Sequence, residues 1–445
     1  MTDKRFDVLV VGSGPAGSIA ALVLAEGGAR VALVDKAAFP RDKACGDLIG
    51  PRGVQVLRDL SLDQPDATRV SDMMVVGPTG NRVRLPAPPG RTYPGFGIVV
   101  RRSAFDAMLR LAAIEAGAEF FDGRADEPLG DDRRLDGFSL SSKIRLRADV
   151  IVGADGATSR VAEVADLVDA SRVLWGFAVR TYVAEPTELP HIMFWTPVAG
   201  AAFPGYGWVF PAGEGHSNIG LGVGVLADRT AGRTAARDFH AFVEHASRVG
   251  VLAHRPAIQA RERPLGAWLK MGLAGTTPAL DRVFLVGDAA GLVNPLQGEG
   301  ISQAMDSGRA AAAAILGGIE LAPDRYRAHL ARTQAEYLST TATIQRSLLH
   351  RPKLVAALTR TLTAPGVGRT LAGAWSIGWN NLLQGATPSI ATGLAATAAG
   401  LGHALTARST DRRWIATHLT DASRTPWARW SGDSIGPKPE VGVRY

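Results

Sequence analysis

The chain has 445 residues, 46% hydrophobic and 20% charged, which fits a soluble globular protein of more than one domain and excludes disordered, collagen-like and multi-span membrane chains. A single cysteine, Cys45, excludes intrachain disulfides and Cys-rich metal centres. The formal charge is +7 and only seven of the 49 basic residues are lysines; no dense basic run interleaved with aromatics occurs, so no nucleic-acid partner is expected.

Met1 to Arg5 is short and polar and leads straight into Phe6-Asp7-Val8-Leu9-Val10-Val11, a β-branched apolar run too short for a helix. That leaves no room for a signal peptide, and a cytoplasmic location is expected. Gly12-Ser13-Gly14-Pro15-Ala16-Gly17 follows at once, then an Ala/Leu-rich helix through Glu26 and a strand from Arg30 to Val34 that ends at Asp35. The glycines permit a tight turn and close backbone approach, the helix N-terminus suits a pyrophosphate, and Asp35 suits ribose hydroxyls.

Alternation around Pro78-Thr79-Gly80-Asn81 predicts a hairpin over Ser71 to Pro86, and Ser103 to Gly117 reads as a helix. Strand-like runs follow at Leu174 to Val183, His191 to Trp195, Trp208 to Phe210 and Ile219 to Val225, suggesting a mostly antiparallel sheet. A further buried strand, Val283 to Val286, ends at Gly287-Asp288. The expected organisation is a discontinuous nucleotide domain (1–70, 97–165, 275–320) interrupted by a sheet domain (71–96, 166–274). A helical region (321–424) and a Pro/Gly-rich tail (425–445) complete it. After Ile301 an Ala-rich helical pattern continues to about Ile344, and Thr370 to Ala407 carries no Lys, Arg, Asp or Glu. Interrupting glycines favour packed helices or a surface-seeking hairpin over a span, leaving open a peripheral membrane contact.

Three further stretches point to a flavin. Asp155-Gly156 follows a strand end; Gly287-Asp288, Pro295 and Gly298-Glu299-Gly300-Ile301 pair a strand-end acid with a glycine-rich helix start; Arg102, with Asp106 beyond it, heads a helix. Asp288 is placed to bond a ribityl chain, and the glycines let a flavin lie against backbone.

On these motifs the chain resembles flavoprotein monooxygenase-fold proteins of the p-hydroxybenzoate-hydroxylase type. Within that group it is similar to the geranylgeranyl reductase family, which includes digeranylgeranylglycerophospholipid and menaquinone side-chain reductases. The similarity runs from about residue 6 to 320. Phe39-Pro40-Arg41-Asp42-Lys43-Ala44-Cys45-Gly46-Asp47 resembles the family's Pro-x-x-Lys-x-Cys-Gly loop. Tyr206-Gly207-Trp208-Val209-Phe210-Pro211 with Gly220-Leu221-Gly222 resembles its Tyr-x-Trp-x-Phe-Pro and Gly-x-Gly signature. The resemblance implies an α/β fold: a Rossmann-type FAD-binding domain interrupted by a mostly antiparallel substrate domain, with a C-terminal helical region. It implies FAD as cofactor, held by Gly12, Gly14, Ala16, Gly17, Asp35 and Lys36, by Arg41, Ala44, Cys45 and Gly46, and by Arg102, Asp155 and Gly156. The second flavin motif would add Gly287, Asp288, Pro295, Gly298, Gly300 and Ile301. Cys45 would act beside the flavin ring, with Tyr206, Trp208 and Phe210 lining the substrate cavity; the alternatives are an inert Cys45 and aromatics that are only core. Leu48 departs from a family that often has a small residue there, and would reshape that cavity.

No second dinucleotide unit is found, so reducing equivalents are expected from a transient donor, a nicotinamide nucleotide or a ferredoxin-like protein. The halogenase motif Trp-x-Trp-x-Ile-Pro does not occur. The nine histidines form no metal set, His240 and His245 being five apart. The expected activity is reduction of carbon–carbon double bonds in an apolar isoprenoid- or polyketide-like small molecule. A flavin monooxygenase, and a cyclase or isomerase with a structural flavin, remain the alternatives.

Overall fold

A computed structural model describes residues 2–62, 67–131, 134–194, 205–225, 232–253 and 264–420. Trp195 and the expected tail at 425–445 lie outside the described residues. The first elements are β1 (Thr2–Val11), α1 (Pro15–Glu26), β2 (Val31–Asp35), β3 (Leu48–Ile49), α2 (Pro51–Asp59), β4 (Thr68–Val70), β5 (Asp72–Val76), β6 (Arg82–Pro86) and β7 (Gly97–Val99). Next come α3 (Arg102–Glu115), β8 (Glu119–Asp122), β9 (Ala125–Asp131), β10 (Arg134–Leu140), β11 (Ile144–Gly153), α4 (Arg160–Val164), β12 (Leu174–Val183), β13 (His191–Phe194), β14 (Gly205–Pro211), β15 (Ser217–Val225) and α5 (Gly232–Arg248). The rest comprises β16 (Leu265–Met271), β17 (Ala279–Leu280), β18 (Val283–Leu285), α6 (Ile301–Leu316), α7 (Ala322–Leu330), α8 (Glu336–Leu349), α9 (Pro352–Leu362), α10 (Val367–Trp379), α11 (Ile390–Thr406) and α12 (Thr410–Thr420).

The apolar run at Phe6 to Val11 becomes the centre of a sheet ordered β17-β18-β11-β1-β2-β8. Its neighbours from β18 to β8 pair in parallel, and both faces are covered, so these strands read as continuous hydrophobic runs. A hairpin of β9 and β10 extends β11 antiparallel. Small residues bring the helices close to this sheet. A Cβ on Gly308 of α6 would stand 2.2 Å from the Ala16 carbonyl oxygen, so α6 and α1 touch backbone to backbone.

The second sheet runs β16-β12-β15-β14-β13-β5-β6 and is antiparallel except where β13 pairs with β5. Alternate positions on β14 face opposite sides. Val209 joins Phe239 and Phe242 of α5 in one core, while Trp208 and Phe210 join Ile192 and Ala178 on the other face. A small sheet, β3-β7-β4, lies between these layers in the chain.

The helical pattern expected from Ile301 to Ile344 is broken. Gly318, at φ +114°, ends the α6 region, and one π-helical turn, Ala331–Ala335, joins α7 to α8. The uncharged stretch becomes two helices, α10 and α11, joined by residues 380–389. Among the described residues no single helix is long and apolar enough to cross a membrane.

Candidate active site

The glycine-rich turn is built by close approach. Gly12 sits at φ +102°, and a Cβ on Gly17 would lie 1.8 Å from the Gly12 carbonyl oxygen, so only glycine fits both places. Gly14 precedes α1, whose first turn begins with Pro15. The space a Gly14 side chain would take is open except for Arg41 Nη2, 3.5 Å away. Helix start, bare backbone and guanidinium together suit a pyrophosphate. Arg41 is positioned by Asp106 at 3.1 Å, which Arg102 also grips through two bonds of 2.7 and 2.6 Å.

Several expected cofactor residues have other partners. Asp35 accepts from the Ser13 backbone N–H at 2.7 Å and its hydroxyl at 2.9 Å, clamping the glycine turn from the ribose side. Ala16 is buried and faces Gly287 and Gly308, a packing position between α1 and α6. Lys36 is exposed beyond the end of β2. The Asp155 carboxylate accepts from the Arg160 and Val161 N–H groups at 2.6 and 3.2 Å, and Gly156 follows it in the same turn. Asp155 therefore anchors the start of α4 and is absent from the cavity wall described next.

A cavity of about 530 Å³ lies between the second sheet and α2, α6 and the segment after α10. It gathers Ala44, Cys45, Gly46, Leu48 and Arg102 from the first half of the chain with Asp288, Pro295, Gly298, Gly300 and Ile301 from the second. Its sheet-side wall is apolar: Met73, Ile192, Tyr206, Trp208, Phe210 and Leu269. Its helix side is polar, with Arg52, Gln55, Asp306, Gln334 and Asn381. Trp208 and Phe210 are both core and wall, buried among Val75, Val83 and Ile192 yet bordering the void. Gly46 is tied to them: a Cβ there would come within 2.9 Å of the Phe210 ring and 3.3 Å of Trp208 Nε1.

A web of hydrogen bonds joins this wall to Cys45. Trp208 Nε1 donates to Asn218 Oδ1 at 2.9 Å, and Asn218 Nδ2 donates to the Cys45 carbonyl and to Asp47 Oδ2, each at 2.8 Å. The Tyr182 hydroxyl donates to the same carboxylate oxygen at 2.6 Å, while Asp47 Oδ1 is buried without a hydrogen-bond partner among the described residues. Burial pushes the Asp47 carboxyl above its ordinary value, against the opposing hydrogen bond from Tyr182 and the charge of Arg180. The Asp47 N–H donates to Cys45 Sγ at 3.4 Å.

Burial also raises the Cys45 thiol, and the Asp47 charge adds to this, while Arg102 works against both. The cations of the Cys45 loop itself are engaged elsewhere, Arg41 with Asp106 at 3.1 Å and Lys43 with Asp288 at 3.7 Å. The cation that acts on the thiol is Arg102.

Beyond Asp288, Asn294 donates to the Tyr337 hydroxyl at 3.0 Å and to the Trp379 carbonyl at 3.3 Å, fixing the glycine-rich turn against α8 and α10. The Tyr206 hydroxyl donates to the Gln297 carbonyl in the same turn. Glu299 accepts from the Ser302 N–H at 2.8 Å, and burial raises its carboxyl. The bare backbone at Gly14 beside Arg41, and Gly300, where a Cβ would stand 3.5 Å from Asp288 Oδ1, fit an FAD. Asn218, Asp47, Tyr182 and Arg52 belong to the site although no motif reading assigned them a role. Asp47 alone had a local signal, its place directly after Cys-Gly.

Residues 5–318 match the FAD binding domain family. A menaquinone reductase of Mycolicibacterium smegmatis is 36% identical over 326 residues, covering 71% of this chain and 78% of the relative. Digeranylgeranylglycerophospholipid reductase 2 of Methanopyrus kandleri is 31% identical, covering 69% and 76%. Among solved structures, a geranylgeranyl bacteriochlorophyll reductase-like protein of Thermoplasma acidophilum aligns with a TM-score of 0.68 over 88% of this chain and 99% of its own, at 20% identity. A flavin-dependent brominase aligns with a TM-score of 0.63 over 89% and 99%, also at 20% identity. These two likenesses show the fold alone.

Proposed function

Because the chain belongs to the geranylgeranyl reductase family of FAD-dependent oxidoreductases, we propose that it reduces carbon–carbon double bonds in an apolar isoprenoid- or polyketide-like substrate. The observation that carries this is the meeting of Cys45, the Tyr206–Trp208–Phe210 wall and the residues around Asp288 and Gly298 on one cavity. FAD, when bound and reduced, supplies the hydride. Gly14, the start of α1 and Arg41 would hold its pyrophosphate, and Asp288 with Gly298 to Ile301 its ribityl and ring end.

The remaining chemistry belongs to the chain. The aromatic wall orients a flat, apolar chain and excludes water; Asn218 satisfies the Trp208 indole N–H, so that donor does not compete for substrate. Cys45 holds a proton at Sγ because burial raises the thiol. It would deliver that proton to the alkene carbon that does not take the hydride, and Arg102 would stabilise the thiolate until it is protonated again. Electrons come from a transient donor, a nicotinamide nucleotide or a ferredoxin-like protein. The test is anaerobic incubation of the chemically reduced holoprotein with menaquinone, then removal of the protein and reoxidation of the quinol ring in air, followed by mass spectrometry. Product two hydrogens heavier, formed only with reduced flavin, is expected. Unchanged mass in both redox states, or product formed only with oxygen, would overturn the proposal.

A further inference from the structure

Helix α11 has an outer face that does not suit water. Ile390, Leu394, Leu401 and Leu405 are 86%, 45%, 61% and 79% exposed, and their spacing of four, seven and four residues places them on one side of the helix. The inner face is small and packed: Ala395 and Thr406 are buried, and α11 contacts α8 and α10. No Lys, Arg, Asp or Glu occurs anywhere in the helix. A surface helix bathed in water normally carries a polar stripe on that side.

The charge of this stretch of the chain is one-signed. From Tyr337 to Thr410 the chain contains no Asp or Glu, while Arg351, Lys353, Arg360, Arg369 and Arg408 are all exposed. Glu336, an exposed acid, lies 3.1 Å from His403 on the inner side of α11. The same acid-free segment exposes Leu354 and Leu358 on α9 and Val367 at the start of α10. The link from α10 to α11 is also a cavity wall, through Asn380, Asn381, Leu382 and Gln384.

We propose that α11 docks in the plane of an anionic lipid bilayer, with Ile390, Leu394, Leu401 and Leu405 among the acyl chains and the surrounding Arg and Lys side chains on lipid phosphates. Apolar residues beside cations without acids match the chemistry of that surface, and little else offers both. The helix lies along the surface and does not cross it. Its 17 residues reach about 25 Å, short of the roughly 30 Å hydrocarbon core, and α12 turns away by 96° to bury Ile415 and Leu419 against the protein. Docking there puts the cavity wall at the membrane, where a long apolar molecule is dissolved.

The test is co-sedimentation of the full-length, FAD-loaded chain with vesicles of phosphatidylcholine containing about 30% phosphatidylglycerol, against phosphatidylcholine alone. Preferential binding to the anionic vesicles is expected, weakened at about 0.5 M salt. The exposed double variant L394E/L401E should keep its flavin absorbance and elution volume while its partition falls at least about tenfold. Absence of wild-type binding to anionic vesicles, or equal partition of wild type and variant, would overturn the proposal. So would a wild-type dimer that the double variant dissolves, which would make this face a contact between copies.

Discussion

Replacing Trp208 with Phe keeps an aromatic ring in the cavity wall and removes one hydrogen-bond donor. Trp208 is 5% exposed, and its Nε1 is 2.9 Å from Asn218 Oδ1, so the variant strands a buried acceptor. A stranded acceptor of this kind costs about 1–3 kcal/mol. Asn218→Ala removes the acceptor together with two donated bonds, to the Cys45 carbonyl and to Asp47, and should cost about 3 kcal/mol at about 1 kcal/mol per bond. The Trp208–Asn218 bond is absent from both single variants. The double variant should therefore be less destabilised than additivity requires, by about 1 kcal/mol or more. Urea unfolding of the FAD-loaded proteins, followed by flavin fluorescence, measures the cycle. Alkene reduction should slow in Asn218→Ala through the loosened Cys45 loop, with FAD affinity retained. Additivity within about 0.5 kcal/mol would refute the coupling between wall and loop. An Asn218→Ala protein with parental turnover would refute its role in positioning Cys45.

Asp288→Ala should weaken FAD binding at least about tenfold with the fold intact by circular dichroism, since it removes a charged hydrogen-bonding group; unchanged affinity in a flavin titration would contradict the ribityl placement. Cys45→Ser should slow alkene reduction while leaving anaerobic flavin reduction at its parental rate. Because burial raises the thiol above its ordinary range, the parent's alkene reduction should stay level through neutral pH and fall only on the alkaline side of that range. Gly46→Ala forces a methyl to within 2.9 Å of the Phe210 ring, and should cost about 1–3 kcal/mol in unfolding and raise KM for the apolar substrate. Asp47, raised above 3.8 by burial, contributes stability when protonated that fades as pH rises past that value; in Asp47→Asn the unfolding midpoint should lose that slope across the acid range.

What was legible in the sequence was local. A short apolar strand, three glycines and a proline specify the turn before α1 because the steric demands lie within a few residues, as between Gly12 and Gly17. The aromatic positions were legible because strand alternation puts Tyr206, Trp208 and Phe210 on one face. The web behind them was not, since Asn218 reaches Cys45 across 173 positions and only the β14–β15 register brings it there. Arg41 and Lys43 precede Cys45 in its own loop, yet each has a carboxylate partner elsewhere, and Arg102 from α3 supplies the positive charge at the thiol, which the sequence does not show. Asp155 looked like a ligand group because an acid follows a strand, but the nearest free N–H groups were those of its own following helix.

The cavity floor opposite the helices is partly without side chains. Gly176 on β12 and Gly224 on β15 are register partners, both border the void, and Gly222 borders it beside Trp208. Chamber depth is therefore set by missing methyl groups. Unlike Gly220, where a Cβ would stand 2.0 Å from the Trp208 ring, Gly222 leaves 3.6 Å, so alanine fits there by ordinary contact. At Gly176 the nearest obstacle is the flexible Met271 side chain, at 3.1 Å. One-carbon additions at Gly222 or Gly176 would therefore narrow the void while leaving the Trp208 ring where it stands.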